Sequence, residues 1–416
     1  MPPRWFAGIH ISADCRRIEA ALVGIHGRGN GAPIESRKSM SFDLPKEIVD
    51  AFQVLCDQGY GHGTKSVLDT NLLAQLTHEL ACLEEEALDE LIAESRIPPL
   101  EILAVGLSDP GLWGKSDSGP IVHSLSSSEL LAEKTGLNIV DSFPSRDIAS
   151  GGVGGPLFPF PCWIILCSEA KNRILLDFGK TARSTFLPKP LNSTIYEHIE
   201  YADLVPCGSL LDELTLKLTH GKTEIDSGGS LTVQGKHIPE LLSLWKNLQQ
   251  AQIAPSWSPF GISPVPFLQL ALEKSTLENW AIRDVLCTAV HFITESVATF
   301  LEKHYLPKEI EILLTGGCCR HGLLLNRLGK RLEEWQLTPL RDCGVPVDAF
   351  DAVCVAILTI LFADHIPAAI QSLTRAETAQ PLGHITPGSP HNWTRLIEEM
   401  SQTRSTLRNL RSVVNF

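Results

Sequence analysis

Asp203 stands in the segment Ala202-Asp203-Leu204-Val205-Pro206-Cys207-Gly208-Ser209, directly before a predicted helix. Backbone N–H groups at a helix start can hold an anion, and a carboxylate beside them can accept a hydroxyl proton. The same position also suits a plain helix cap. Thr315-Gly316-Gly317 follows an apolar strand. Glycines there either let backbone approach a ligand closely or make a tight turn. Asp348 and Asp351 precede an apolar helix, where an acid offsets the helix dipole. The stretch Ser145–Leu157 gathers Arg146, Asp147 and four glycines, Gly151, Gly152, Gly154 and Gly155, and reads as a structured ligand-site loop.

Two familiar phosphate signatures fail on spacing. Gly114-Lys115-Ser116, Gly179-Lys180-Thr181 and Gly221-Lys222-Thr223 each look like the end of a P-loop. That loop needs a further glycine five positions before its last one, where this chain has Asp109, Ile174 and Leu216. Gly151–Gly155 is followed by Pro156 and by no opening helix, so it is not a dinucleotide fingerprint. No CxxC pair and no His-Glu-x-x-His spacing suggests zinc, and no metal site is expected.

The elements that would position these residues alternate between strand and helix. Phe6–Ile11 and Arg17–Ile25 read as a strand pair, with Ser12, Ala13, Asp14 and Cys15 in the turn. Asn71–Ser95 is an amphipathic helix with leucines at 72, 73, 76, 80 and 83. Ile102–Leu107 is a strand ended by Asp109-Pro110-Gly111, Ser126–Thr135 a serine-capped helix, and Asn138–Val140 a strand. Trp163–Cys167 and Arg173–Phe178 read as strands of a second sheet, and Ile310–Leu314 as another. Ser209–Leu218, Ile238–Asn247, Thr276–His304, Arg320–Trp335, Asp348–Ala363 and Asn392–Arg411 read as helices. Repeated strands and crossover helices mean an α/β chain with mixed sheets.

With 416 residues, the chain exceeds one ordinary core and is expected to form two lobes. A net charge of -13 and the lack of a Lys/Arg run argue against nucleic acid. The apolar run Ala352–Ala363 is too short to span a membrane, and no signal-peptide pattern opens the chain. The 11 cysteines are odd in number and irregular in spacing, which reads as free thiols of a reducing cytoplasm.

Taken in order, these segments resemble the anhydro-N-acetylmuramic acid kinase family, of the sugar-kinase, actin and chaperone-ATPase superfamily. The resemblance covers nearly the whole chain. It is sharpest over Val140–Leu157, where the family has an aspartate, Phe-Arg, then Arg-Asp-x-Ala and Gly-Gly-Gln-Gly-Ala-Pro-Leu. Leu382–Gly388 resembles the family's ending. Asp203–Gly208 followed by Leu210-Leu211-Asp212 stands at the family's Asp-Thr-Gly-Pro-Gly-Asn-x-Leu-Leu-Asp. Asp226–Gly229 with Gly235, Gly316-Gly317 and Asp351-Ala352 match further segments. Other segments depart. The opening Ser-Gly-Thr-Ser-x-Asp-Gly is replaced around Ser12–Arg17, and His-Gly-Gln-Thr by Ser108–Gly111. Asn-x-Gly-Gly-x-Ala-Asn becomes Asp177–Arg183, and Pro-Lys-Ser-Thr-Gly is matched loosely by Pro255–Pro259, without its lysine.

The resemblance implies a two-lobed actin-like (ribonuclease H-like) α/β fold with mixed sheets and an interlobe cleft. Residues 1–158 would be the first lobe, with a sugar-side loop at 141–157. Residues 159–416 would be the second, nucleotide-side lobe, with the C-terminal helix returning to the first. It implies ring opening of 1,6-anhydro-N-acetylmuramic acid by water and phosphorylation of the sugar with ATP and Mg, a step of cell-wall amino-sugar recycling. Asp203 would be the base. Arg146, Asp147 and Asp351 would hold the sugar, and Ser12, Gly179, Gly208, Gly316 and Gly317 the nucleotide. A cytoplasmic homodimer is implied as well. A second expectation is a catalytically inactive, pseudokinase-like descendant. It rests on the altered phosphate loops, because Asp14 would repel a nucleotide there, and it would bind a sugar or a protein partner.

Overall fold

The computed structural model describes residues 2–29, 31–59, 68–116, 119–190, 195–251 and 257–406. Part of the loose match at 255–259 and the last residues of the expected 392–411 helix lie outside them. Thirteen strands are present among the described residues. They are β1 (Arg4–Ile11), β2 (Arg17–Ile25), β3 (Ile34–Asp43), β4 (Ile102–Ser108), β5 (Leu112–Ser116), β6 (Gly119–His123) and β7 (Ile139–Asp141), followed by β8 (Asn172–Phe178), β9 (Thr181–Leu187), β10 (Glu200–Pro206), β11 (Ile310–Thr315), β12 (Gln336–Pro339) and β13 (His384–Thr386).

The chain divides into two compact units. Unit 1 holds Met1–Ile165, Asn192–Glu197 and Val345–Phe416; unit 2 holds Leu166–Leu191 and His198–Gly344. The division drawn from sequence, 1–158 against 159–416, differs chiefly in the placement of residues 345–416. Helix Phe350–Ala363 packs on β1 and β4 and so joins unit 1.

The sheet of unit 1 runs β13-β7-β4-β1-β2-β3. Its first three strands pair antiparallel, and β4 and β7 continue parallel to β1. The sheet of unit 2 runs β10-β9-β8-β11-β12 with the same pattern: an antiparallel meander, then two parallel strands. One plan therefore occurs twice. It is the ribonuclease H-like plan of the actin-like fold.

Close approach explains how the apolar helix Phe350–Ala363 seats on sheet 1. Gly8 of β1 and Gly106 of β4 are register partners. A Cβ on Gly8 would lie 2.1 Å from the Ala352 carbonyl oxygen, and one on Gly106 would lie 2.0 Å from Thr359 Oγ1. Two side-by-side glycines thus open a groove for the helix backbone. In unit 2 the core is built around helix Ile282–His304, which buries Val285, Leu286, Ala289, Phe292, Ile293 and Val297. This helix is long and apolar enough to cross a membrane, yet 67% of its apolar window is buried inside the protein. It reads as a core helix. Trp245 is fully buried beside it and donates its Nε1–H to the Phe267 carbonyl at 2.9 Å.

Several expected elements form as read. β2 spans Arg17–Ile25, and helix Ser128–Thr135 is capped by Ser127 and ended by Gly136 in the left-handed region. Helix Thr70–Ser95 starts at Asp69, whose Oδ1 accepts the amides of Asn71 and Leu72. Two expectations are corrected. The run around Trp163–Cys167 is not a strand; Pro159–Leu166 is a helix. An unbroken apolar run carries no period, so burial on all sides fits a helix as well as a strand. The long helix over 276–304 is two, Val265–Glu278 and Ile282–His304, parted where Asn279 takes a left-handed backbone. Asparagine tolerates that conformation.

Candidate functional site

In unit 2 the first hairpin and its neighbouring strand set out a charged ladder. Asp177 of β8 pairs in register with Arg183 of β9, and Arg183 pairs in register with Asp203 of β10. Arg183 Nε donates to Asp203 Oδ1 at 3.2 Å, and the Tyr201 hydroxyl donates to the same oxygen at 2.8 Å. Tyr201 and Asp203 are two residues apart and so share a strand face. The Asp203 side chain is 1% exposed, against 32% for Arg183. Burial pushes the Tyr201 hydroxyl well above its usual range, so it stays a donor. The ladder slips register between Asp203 and Val205. Such an irregularity re-aims side chains and is common beside active sites.

The glycines expected on the nucleotide side lie just past the carboxyl ends of β8, β10 and β11, where ligands bind in open α/β sheets. The Gly208 amide donates to the Gly179 carbonyl at 2.9 Å, so these two meet. A Cβ on Gly316 would lie 2.4 Å from Asp177 Oδ1 and from the Phe178 carbonyl carbon, which brings β11 against the end of β8. Gly317 is different. A Cβ there would meet nothing within 4 Å, so chain packing does not account for a glycine at this exposed position. His321, where the family has Asn, caps helix Gly322–Arg331 by accepting the Leu324 amide at Nδ1.

Unit 1 holds the other set. The turn between β1 and β2 closes on itself. Ser12 Oγ donates to Asp14 Oδ1 at 2.6 Å and accepts the Arg16 and Arg17 amides, while the Cys15 amide donates to the Ser12 carbonyl. The loop after helix Phe143–Ile148 is organised by Asp147. Its Oδ2 accepts the Gly154 amide at 2.8 Å, and a Cβ on Gly152 would lie 2.1 Å from that oxygen. Asp147 is wholly buried, and burial raises its carboxyl above the usual range. Through Oδ2 it shapes the loop. Arg146 is exposed and donates to Gln380 Oε1. Asp351 lies in the first turn of helix Phe350–Ala363, its side chain 47% exposed.

Around Asp351 lie two residues that the sequence reading passed over. His10 Nε2 is 3.7 Å from Asp351 Oδ2, and His10 is the register partner of Glu19 across β1 and β2. Burial lowers the His10 imidazole, with Asp351 and Asp109 acting against it. Burial, then the charge of Asp351, push Glu19 up to about 8. Both side chains sit among apolar neighbours on strands, and only the register of the hairpin brings them together. Arg183 was missed for the same reason, and Tyr201 because β10 itself was not read as a strand. Asp109 does not reach this group by hydrogen bonds; it anchors its own loop through the amides of Gly111 and Leu125 and the Ser124 hydroxyl.

A Mg-nucleotide is implied by the resemblance, and its phosphates fit these segments unevenly. The Gly316–Gly317 end of β11 has room for close approach. The first turn keeps its amides for Ser12 and Asp14, and the amides of Cys207, Gly208 and Ser209 go to the carbonyls of Lys180 and Gly179. Among the described residues no group of three His, Cys, Asp or Glu side chains could hold a metal.

The family model for anhydro-N-acetylmuramic acid kinase matches residues 8–388. An anhydro-N-acetylmuramic acid kinase of Pasteurella multocida (strain Pm70) is 26% identical over 349 residues, covering 83% of this chain and 88% of the relative. One from Bacillus cereus (strain G9842) is 25% identical over 398 residues, covering 92% and 99%. Among solved structures, the activator of the 2-hydroxyisocaproyl-CoA dehydratase from Clostridium difficile, with bound ADPNP, aligns at a TM-score of 0.39 with 12% identity, over 86% of this chain and 94% of that one.

Proposed function

The chain belongs to the anhydro-N-acetylmuramic acid kinase family, and from that premise we propose that it opens the anhydro ring of such an amino sugar with water and phosphorylates it. The observation that carries this reading is the anchoring of Asp203. Tyr201 and Arg183 both hold Oδ1. Oδ2 is left to take a proton from water, and a fixed carboxylate is what general-base catalysis needs. Arg183 balances a charge that is otherwise removed from water. Gly179, Gly208, Gly316 and Gly317 line the nucleotide side, and exposed Gly317 offers its backbone. When bound, Mg-ATP supplies the phosphoryl group and the cation charge. Arg146 and Asp351 hold the sugar, with Asp147 fixing the loop that follows the helix carrying Arg146. The same reading includes a cytoplasmic homodimer. The test is ADP release with 1,6-anhydro-N-acetylmuramic acid, compared with Asp203→Asn. Turnover no greater than that of the variant would sink the proposal.

A second reading has its own support. Three amides of the turn after β1 are satisfied within the turn, and Asp14 contributes a carboxylate there. A phosphate would have to displace these bonds. On this reading the chain binds the sugar without transfer. Calorimetry separates the two, because tight Mg-dependent ATP binding contradicts the second and supports the first.

A further inference from the structure

Two thiols meet between the segments that carry Gly208 and Gly317. Cys207 ends the stretch after β10 and precedes helix Gly208–Leu218; Cys318 lies in the turn after β11. The Cys207 thiol lies close enough to that of Cys318 to be perturbed by it. Cys318 Sγ lies 3.3 Å from where a Gly208 Cβ would be and 4.0 Å from the Gly179 carbonyl oxygen. Cys207 is fully buried, whereas Cys318 is partly exposed. We propose that Cys207 and Cys318 form a redox-modification site, a reversible disulfide that ties these two segments of unit 2 together.

The chemistry follows from exposure. A low-molecular-weight disulfide, such as oxidised glutathione, is the oxidant. The Cys318 thiolate attacks one of its sulfurs, forming a mixed disulfide and releasing one glutathione thiolate. Cys207 then loses its proton to solvent base and attacks the Cys318 sulfur, expelling the second glutathione thiolate. Two protein thiols are oxidised and one glutathione disulfide is reduced to two thiols. The second step is the slower one, because the contact with Cys318 and burial hold the Cys207 thiol well above its ordinary range.

Two competing pairs are disfavoured. Adjacent Cα atoms are about 3.8 Å apart, below the roughly 4.4–6.8 Å that disulfides span, so Cys318–Cys319 closes poorly. Cys319 is also held by the Thr315 carbonyl, its Sγ 2.9 Å from that oxygen. Cys162 and Cys354 lie 3.9 Å apart, but both are buried and neither can start the exchange.

The test uses the native full chain incubated with oxidised glutathione at pH 8, followed by alkylation, digestion and mass spectrometry. The expected result is loss of two of the 11 thiols, with peptides holding residues 207 and 318 linked and reductant restoring both. The link persists in Cys319→Ser and disappears in Cys318→Ser. In Cys207→Ser, glutathione stays on Cys318. A 318–319 disulfide, a link that survives Cys318→Ser, or glutathione remaining on Cys318 of the unaltered chain overturns the proposal. These readouts do not depend on sugar turnover.

Discussion

Replacing Glu19 by Gln should change the pH dependence of stability in a calculable way. Glu19 is 9% exposed, its Oε2 has no hydrogen-bond partner, and the amides of Asp351 and Ala352 face its carboxyl. Burial and the charge of Asp351 raise it from 4.5 to about 8. The folded chain therefore keeps this proton up to about pH 8, while the unfolded chain releases it near 4.5. Between these values the folded state binds one more proton, so stability falls as pH rises, by about 1.4 kcal/mol per pH unit. Across the whole window the loss is on the order of 5 kcal/mol. It is absent below pH 4.5 and complete above about 8. Glutamine has nearly the same volume and no charge. Glu19→Gln should thus gain about 3 kcal/mol on the unaltered chain between pH 5.5 and 7.5. Urea unfolding of both proteins across that range measures this, and the difference cancels other titrating groups such as Glu84 and Asp147. Asp351→Asn should narrow the window. A difference flat to within about 0.5 kcal/mol over those two pH units would refute the reasoning.

Tyr201→Phe removes one hydrogen bond to the buried Asp203 carboxylate, which should cost about 1.5–3 kcal/mol in urea unfolding and lower turnover more than it raises KM. Gly106→Ala places a methyl 2.0 Å from Thr359 Oγ1 and 2.9 Å from the Val355 carbonyl oxygen. It should destabilise by about 1–3 kcal/mol or more, with Thr359→Ala restoring part of the loss. Asp147→Ala leaves the Gly154 amide unpaired and should cost about 1–3 kcal/mol, with faster proteolytic cutting between Ser150 and Leu157.

How much of this was legible depends on whether the signal was local. Helix Ser128–Thr135 carried its own cap and stop, and β1 and β2 their own burial pattern, so both could be read directly. β3, β5, β6, β9, β10, β12 and β13 were missed. β3 is polar and only partly buried, with no alternation to find. β5 and β6 form a short two-strand ribbon whose second strand starts with Gly119-Pro120. The candidate site was half legible. Asp203 and the glycines stood out by type and spacing. Arg183 is set against Asp203 by the register of β9 on β10, and register leaves no mark on either segment; Tyr201 shares the β10 face with Asp203, but that strand was not read as one.

The repeated strand plan supplies the link between the two groups of charged residues. His10 is the next-to-last residue of β1, and Asp177 the next-to-last of β8. Glu19 is the third residue of β2, and Arg183 the third of β9. Each pair is in register across the first hairpin of its sheet. A further acid then joins each: Asp351 beside His10 in unit 1, and Asp203 on Arg183 in unit 2. The fold thus offers the same place twice, at the carboxyl end of the first strand, and the chain fills it with opposite arrangements. In unit 1 the Asp351 carboxyl lies beside the His10 imidazole, and Glu19, the register partner of His10, stays protonated to about pH 8. In unit 2 one guanidinium stands between Asp177 and Asp203. The second arrangement sets a guanidinium against a buried carboxylate, which supports the proposed assignment of Asp203 as the base and of the half-exposed Asp351 as a sugar ligand.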